Sequence, residues 1–261
     1  GTGTEYETVI IYNSGPAFTS AADITPDSGV QVDTVLTCSA TAEDLDDGNI
    51  TPTYEWSNNG VLLGIGDTYT VSASDVSVGD TITCTATAED SDGEIATSTD
   101  SVEVENTEPV VSNVAILPTS GVYNDDTLTC STTVSDPDES LTLNYEWSVG
   151  SVILASGSSI NLASYNVNPS DDVICTASAT DSEGATGTGT DTKTIDNRAP
   201  VLASISIDNT TPYADSTITC SATITDEDGE SLTPTYEWTI GSNVVGSTAE
   251  LTLTPSIAAV A

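Results

Sequence analysis

Between Asp126 and Trp147 the chain reads DTLTCSTTVSDPDESLTLNYEW, and its apolar positions alternate. Leu128, Cys130, Thr132 and Val134 fall on one side of an extended backbone, with Thr127, Thr129, Ser131 and Thr133 on the other. Period-two alternation predicts a half-buried strand. The stretch Thr81–Ala88 repeats it, with Ile82, Cys84, Ala86 and Ala88 inward and Thr81, Thr83, Thr85 and Thr87 outward. The same period predicts a strand on which Leu141, Leu143, Tyr145 and Trp147 share a face and Glu146 points away. A third strand brings Cys175, 28 residues after Trp147.

The pattern recurs along the chain. Trp56, Trp147 and Trp238 are each 91 residues apart, and Cys38–Trp56–Cys84 repeats the arrangement of Cys130–Trp147–Cys175. Cys220 and Trp238 begin it a third time. An inward tryptophan between cysteines of facing strands matches the core of an immunoglobulin-like sandwich. Over nearly its whole length the chain resembles tandem bacterial immunoglobulin-like or PKD-like extracellular surface repeats. One position departs: the immunoglobulin tyrosine corner would put Tyr two residues before the second cysteine, where Ile82 and Val173 stand. The likeness is to the architecture and leaves the sandwich subtype open.

The resemblance implies an all-β fold, a tandem array of immunoglobulin-like β-sandwich domains of about 91 residues. It also implies the pairs Cys38–Cys84 and Cys130–Cys175. A cross-link closing some 46 residues contributes about 4 kcal/mol in the chain-entropy account, and units this small profit from one. Disulfides in that role need an oxidising compartment, so the expected location is extracellular, secreted or on a cell surface. Cys220 is expected to bond a cysteine beyond Ala261.

Three short junctions set the expected boundaries: Asn13-Ser-Gly-Pro16, Asn106-Thr-Glu-Pro109 and Asn197-Arg-Ala-Pro200. They divide the chain into residues 1–13 (a closing strand of a preceding domain and a linker), 14–105, 106–196, and 197–261, the last an incomplete domain. Four proline-stiffened residues are too few for a flexible tether, so adjacent domains are expected at a restricted angle. Asn58-Asn59-Gly60 predicts a hairpin with positive φ, and Val149-Gly150-Ser151 and Ile240-Gly241-Ser242 hold the same place in the other repeats. Gly1–Tyr12 corresponds to the closing strand Gly187–Asp196. It is expected to close a preceding domain of one continuous polypeptide. The alternative is donor-strand exchange, in which Gly1–Tyr12 of one molecule completes the third domain of the next. That leaves the place of Thr81–Ala88 empty and backbone groups unpaired, which disfavours it.

Charge narrows the partners. Forty-one acids face two basic residues, Lys193 and Arg198, with no histidine, for a net charge of −39. Nucleic acid is not expected as a partner, since phosphate binding needs a basic footprint, and anionic membrane surfaces are disfavoured alike. No apolar run is long enough to span a bilayer, so no membrane insertion is expected. The acids recur in loops after the cysteine strands: Asp44, Asp46 and Asp47; Asp90 and Asp92; Asp136, Asp138 and Glu139; Asp181 and Glu183; Asp226 and Asp228. In an immunoglobulin-like sandwich these loops lie at the end facing the preceding domain, so each junction gathers carboxylates. Calcium at the domain junctions is one reading; Asp and Gly serving turn geometry in water is the other.

Asn49-Ile-Thr51 and Asn209-Thr210-Thr211 match the acceptor pattern for N-glycosylation, which makes glycans candidate decorations. No catalytic residues emerge. Without histidine there is no Ser-His-Asp triad or histidine–metal chemistry, and acids recurring once per repeat read as structural parts. The expectation is a non-enzymatic structural component of an extracellular fibre or stalk, touching neighbouring domains of its own chain or fibre. An adhesin whose loops bind a glycan or receptor is the alternative, followed by an accessory domain of a secreted enzyme.

Overall fold

The computed structural model describes residues 4–5 and 7–258, and almost all regular structure in it is β. In the first repeat, β1 (Ala17–Thr25), β2 (Val35–Asp44), β3 (Gly48–Ile50) and, across β2, a later strand form one sheet. β4 (Thr53–Asn58) and β5 (Val61–Ile65) belong to the other, and β6 (Thr68–Thr70) is the strand that returns to β2. β7 (Thr81–Glu89) and β8 (Ile95–Glu103) complete the second sheet in the order β5-β4-β7-β8. The turn between β4 and β5 has Asn59 at φ 49° and Gly60 at φ 80°, the paired positive φ that its sequence predicts.

Alternation sorts the side chains as the sequence indicates. On β7, Ile82, Cys84, Ala86 and Ala88 are buried. Ile82, Cys84 and Ala86 pack with Leu36, Cys38 and Trp56, and the Cys38–Cys84 disulfide joins the two sheets. The Trp56 indole N–H is buried too and needs an acceptor; it donates to the Gly66 carbonyl at 2.9 Å. A second strap crosses the sandwich where the Ala40 N–H of β2 donates to the Tyr54 hydroxyl of β4 at 2.9 Å. Side chains of β8 satisfy N–H groups of β1: Ala22 donates to Ser98 Oγ at 2.9 Å and Ile24 to the Asp100 carboxylate at 2.8 Å.

The second repeat has β9 (Val110–Leu117), β10 (Thr127–Ser135), β11 (Asn144–Val149), β12 (Val152–Ser156), β13 (Ser159–Asn161), β14 (Asp172–Thr180) and β15 (Thr186–Thr194). Their sheets run β13-β10-β9 and β12-β11-β14-β15. Leu128, Trp147 and the Cys130–Cys175 disulfide occupy its core, and the Trp147 indole donates to the Gly157 carbonyl at 2.8 Å. Ile116 N–H donates to the Asp191 carboxylate at 2.8 Å, the counterpart of Ile24 and Asp100. One expectation shortens: Leu141 and Leu143 are half-buried but precede the strand, which begins at Asn144. In the first repeat the equivalent ladder starts at Thr53 opposite Thr87, two residues short of the end of β7, so there is little strand left to extend it.

The third repeat has β16 (Val201–Ile207), β17 (Thr217–Thr225), β18 (Trp238–Ile240), β19 (Asn243–Gly246) and β20 (Glu250–Thr252). β16-β17-β20 form one sheet and β18-β19 a separate hairpin. β4 holds six residues because β7 pairs it from Thr53 to Asn58. Among the described residues no strand lies against 235–237, and β18 holds three. Trp238 is half-buried, Cys220 is free, and every residue of β16 is exposed. Of Gly1–Tyr12, residues 1–3 and 6 lie outside the described residues, and residues 7–12 form no strand.

The chain divides into two compact units that cut across the 91-residue period. One comprises Gly1–Ser112, Thr133–Leu143 and Ser178–Thr188; the other comprises Asn113–Thr132, Asn144–Ala177 and Gly189–Ala261. The acidic loops of the second repeat thus group with the first repeat and the Asn106–Pro109 link. Gly187 shows how closely they approach: a Cβ there would lie 2.1 Å from the Pro109 carbonyl oxygen.

Candidate functional site at the acidic junctions

Each acidic loop begins with an aspartate that caps its own turn. Asp44 Oδ1 accepts the N–H groups of Asp46 (2.6 Å) and Asp47 (3.0 Å). Asp136 Oδ1 accepts those of Asp138 (2.8 Å) and Glu139 (3.4 Å), and Asp226 Oδ1 that of Asp228 (2.8 Å). The second carboxylates of these loops then reach the preceding Asn-x-x-Pro link. Asp46 Oδ2 accepts both N–H and Oγ–H of Ser14 at 2.8 Å, and Asp138 Oδ2 accepts the Thr107 N–H at 2.6 Å. Asp228 Oδ2 accepts the Arg198 N–H.

A second loop holds the asparagine of the link. Asp90 accepts the N–H groups of Asp92 (3.0 Å) and Glu94 (2.8 Å) on Oδ1, and the Asn13 amide on Oδ2 at 3.0 Å. Asp181 accepts the Ala185 N–H at 2.7 Å and the Asn106 amide at 2.8 Å. The Asn13 and Asn106 amides are the main cause that holds the Asp90 and Asp181 carboxyls below the ordinary aspartate range; burial opposes them and turn N–H groups assist. Asp46 is lowered chiefly by the Ser14 N–H. The two loops of each end are also tied together. Asp47 accepts the Ser91 N–H (2.8 Å) and hydroxyl (3.0 Å), and Glu139 accepts the same pair from Ser182 (2.6 and 3.0 Å).

The third junction replaces neutral donors with a cation. Arg198 bonds Asp228 Oδ1 at 2.8 Å, Asp125, and Glu227 at 3.4 Å, and stacks on the Tyr123 ring at 4.1 Å. Its pKa is raised, first by the hydrogen bond to Asp125, which is itself lowered by the same bond.

Asp44, Asp46, Asp47, Asp90, Asp136, Asp138, Asp181, Asp226 and Asp228 therefore act as acceptors for protein N–H and O–H groups. Asp92 and Glu183 stay exposed beside their turns. Among the described residues no three acids, histidines or cysteines converge closely enough to hold a metal ion. Sequence reasoning took Asn13, Ser14, Asn106 and Thr107 as plain linker residues and overlooked Ser91 and Ser182. The signal was present in the recurring Asp-Ser-Asp-Gly and Asp-Ser-Glu-Gly turns. The acceptor asparagines Asn49 and Asn209 are both exposed; Asn209 Oδ1 accepts the Thr211 N–H at 3.0 Å. No described helix is long and apolar enough to cross a membrane.

No protein-family model matches the chain, and no curated protein matches it. Solved structures do. The three N-terminal domains of the highly immunogenic outer capsid protein (Hoc) of bacteriophage RB49 align over 92% of this chain and 84% of that one, at 15% identity and TM-score 0.32. The fibronectin(III)-like modules of Clostridium thermocellum CbhA align over 67% and 94%, at 15% identity and TM-score 0.27. A 1.5-MDa bacterial ice-binding adhesin aligns over 82% and 77%, at 18% identity and TM-score 0.29. Scores this low carry no functional information. The strand order and the bridged cores of the chain itself define it as a tandem immunoglobulin-like β-protein.

Proposed function

We propose that this chain is a mechanical segment of an extracellular fibre or stalk. Bridged sandwiches of the bacterial surface-repeat type resist unfolding, and short bonded junctions transmit direction. A net charge of −39, with glycans at Asn49 and Asn209, keeps neighbouring fibres apart. The partners of each domain are its neighbours in the fibre.

The observation that supports this reading best is the way the link between repeats is held. Gln31 donates to the Asn106 carbonyl at 2.6 Å, Asn106 donates to Asp181, and Thr107 donates to Asp138. Residues whose hydrogen bonds are used in this way hold the link between repeats in place. Imaging the native particle, with antibodies raised against this chain as the marker, tests the proposal. Label spaced along a thin filament or stalk supports it. Label confined to a distal tip, together with saturable binding of the purified chain to a glycan array, would overturn it in favour of an adhesin.

A further inference from the structure

The link between the first two repeats contains a set of oxygens that its hydrogen bonds do not account for. Asn106 Oδ1, Thr107 Oγ1, Asp136 Oδ2 and Asp138 Oδ1 are each sealed from solvent, and none has a hydrogen-bond partner. Two belong to carboxyl groups, for which a sealed oxygen without a partner is unfavourable. Three of the four residues are joined by bonds already described, Thr107 N–H on the other oxygen of Asp138 and Asp138 N–H on the other oxygen of Asp136, and Asn106 precedes Thr107 in the chain. The first and third loops show the feature singly, at Asp44 Oδ2 and Asp226 Oδ2, each buried without a partner; the second loop gathers four such oxygens.

The third junction shows what such a position requires. Arg198 stands where Thr107 stands, and its N–H takes Asp228 Oδ2 as the Thr107 N–H takes Asp138 Oδ2. There the other oxygen, Asp228 Oδ1, receives the guanidinium at 2.8 Å. At Asp138 the matching oxygen receives nothing from the protein. One junction carries a built-in cation and the other has only oxygens.

We propose that Asn106 Oδ1, Thr107 Oγ1, Asp136 Oδ2 and Asp138 Oδ1 bind a calcium ion, whose contact with the second aspartate of the loop is taken over by Arg198 at the third junction. The donors are two carboxylates, an amide carbonyl and a hydroxyl, the oxygen set of a hard cation. Calcium accepts such an irregular, flexible shell, whereas magnesium demands near-ideal octahedral geometry and retains its waters. Only two of the four ligands are acids, so the set does not require three converging carboxylates.

Calorimetric titration of the chelator-stripped chain with calcium chloride tests this, using the Thr107→Arg and Asp136→Asn variants. Asparagine at 136 keeps the oxygen that caps the turn, and arginine at 107 copies the third junction. Wild type should show a saturable site, and each variant should bind one equivalent fewer. Thr107→Arg should also melt in chelator at or above the wild-type temperature, since it supplies its own cation. Titrations unchanged by Thr107→Arg would overturn the proposal. So would the absence of saturable heat up to about 10 mM calcium, above the 10⁻⁴–10⁻³ M range of extracellular modules, because buried water would then satisfy these oxygens.

Discussion

At the scale of single residues, the chain uses carboxylates as acceptors for groups that a four-residue link would otherwise leave unpaired. Asp181 is the clearest case, because it serves both its own turn and the Asn106 amide. Its folded pKa is depressed, so the stability it contributes is fully present above the unfolded aspartate value of about 3.9 and is lost as pH falls through the lower folded value. Urea unfolding of wild type should therefore weaken steeply below pH 4, and Asp181→Asn should flatten that limb. Parallel limbs for the two proteins would contradict this role. The sequence made Asp181 visible as one acid in a loop, and loop position follows from spacing alone. Its partner was not legible, because Asn in Asn-x-x-Pro has an equally good local role in a turn. The same ambiguity hid Thr107, whose importance emerges only beside Arg198 in the folded chain.

At the scale of elements, alternation and the 91-residue period made the strands readable. Every residue assigned inward at Thr81–Ala88 is buried, because a strand between two neighbours keeps strict period two. The reading weakened where a partner strand runs out, at Leu141 and Leu143, and where an element depends on a neighbour beyond its own sequence, as in 235–237. Pairing of β4 with β7 keeps Trp56 wholly buried, and Trp147 is equally enclosed, whereas Trp238 is not. Acrylamide should then quench one tryptophan readily and shield two, and Trp238→Phe should remove the quenchable fraction. Equal quenching of all three, or a quenchable fraction that survives Trp238→Phe, would show that the third repeat forms its core in another way.

At the scale of the whole molecule, the proposed fibre segment carries tension through its bridged sandwiches. A disulfide between facing sheets places the enclosed residues outside the path of force, since tension passes through the sulfurs. Cys38–Cys84 spans 46 residues and Cys130–Cys175 spans 45. Each bridge should therefore withhold about 160 Å of extended chain at roughly 3.5 Å per residue. Pulling single molecules by their ends, with and without reductant, measures this directly. Discrete unfolding events should lengthen by about 160 Å per bridge once reductant is present. Extension without discrete events, or event lengths unchanged by reductant, would contradict this.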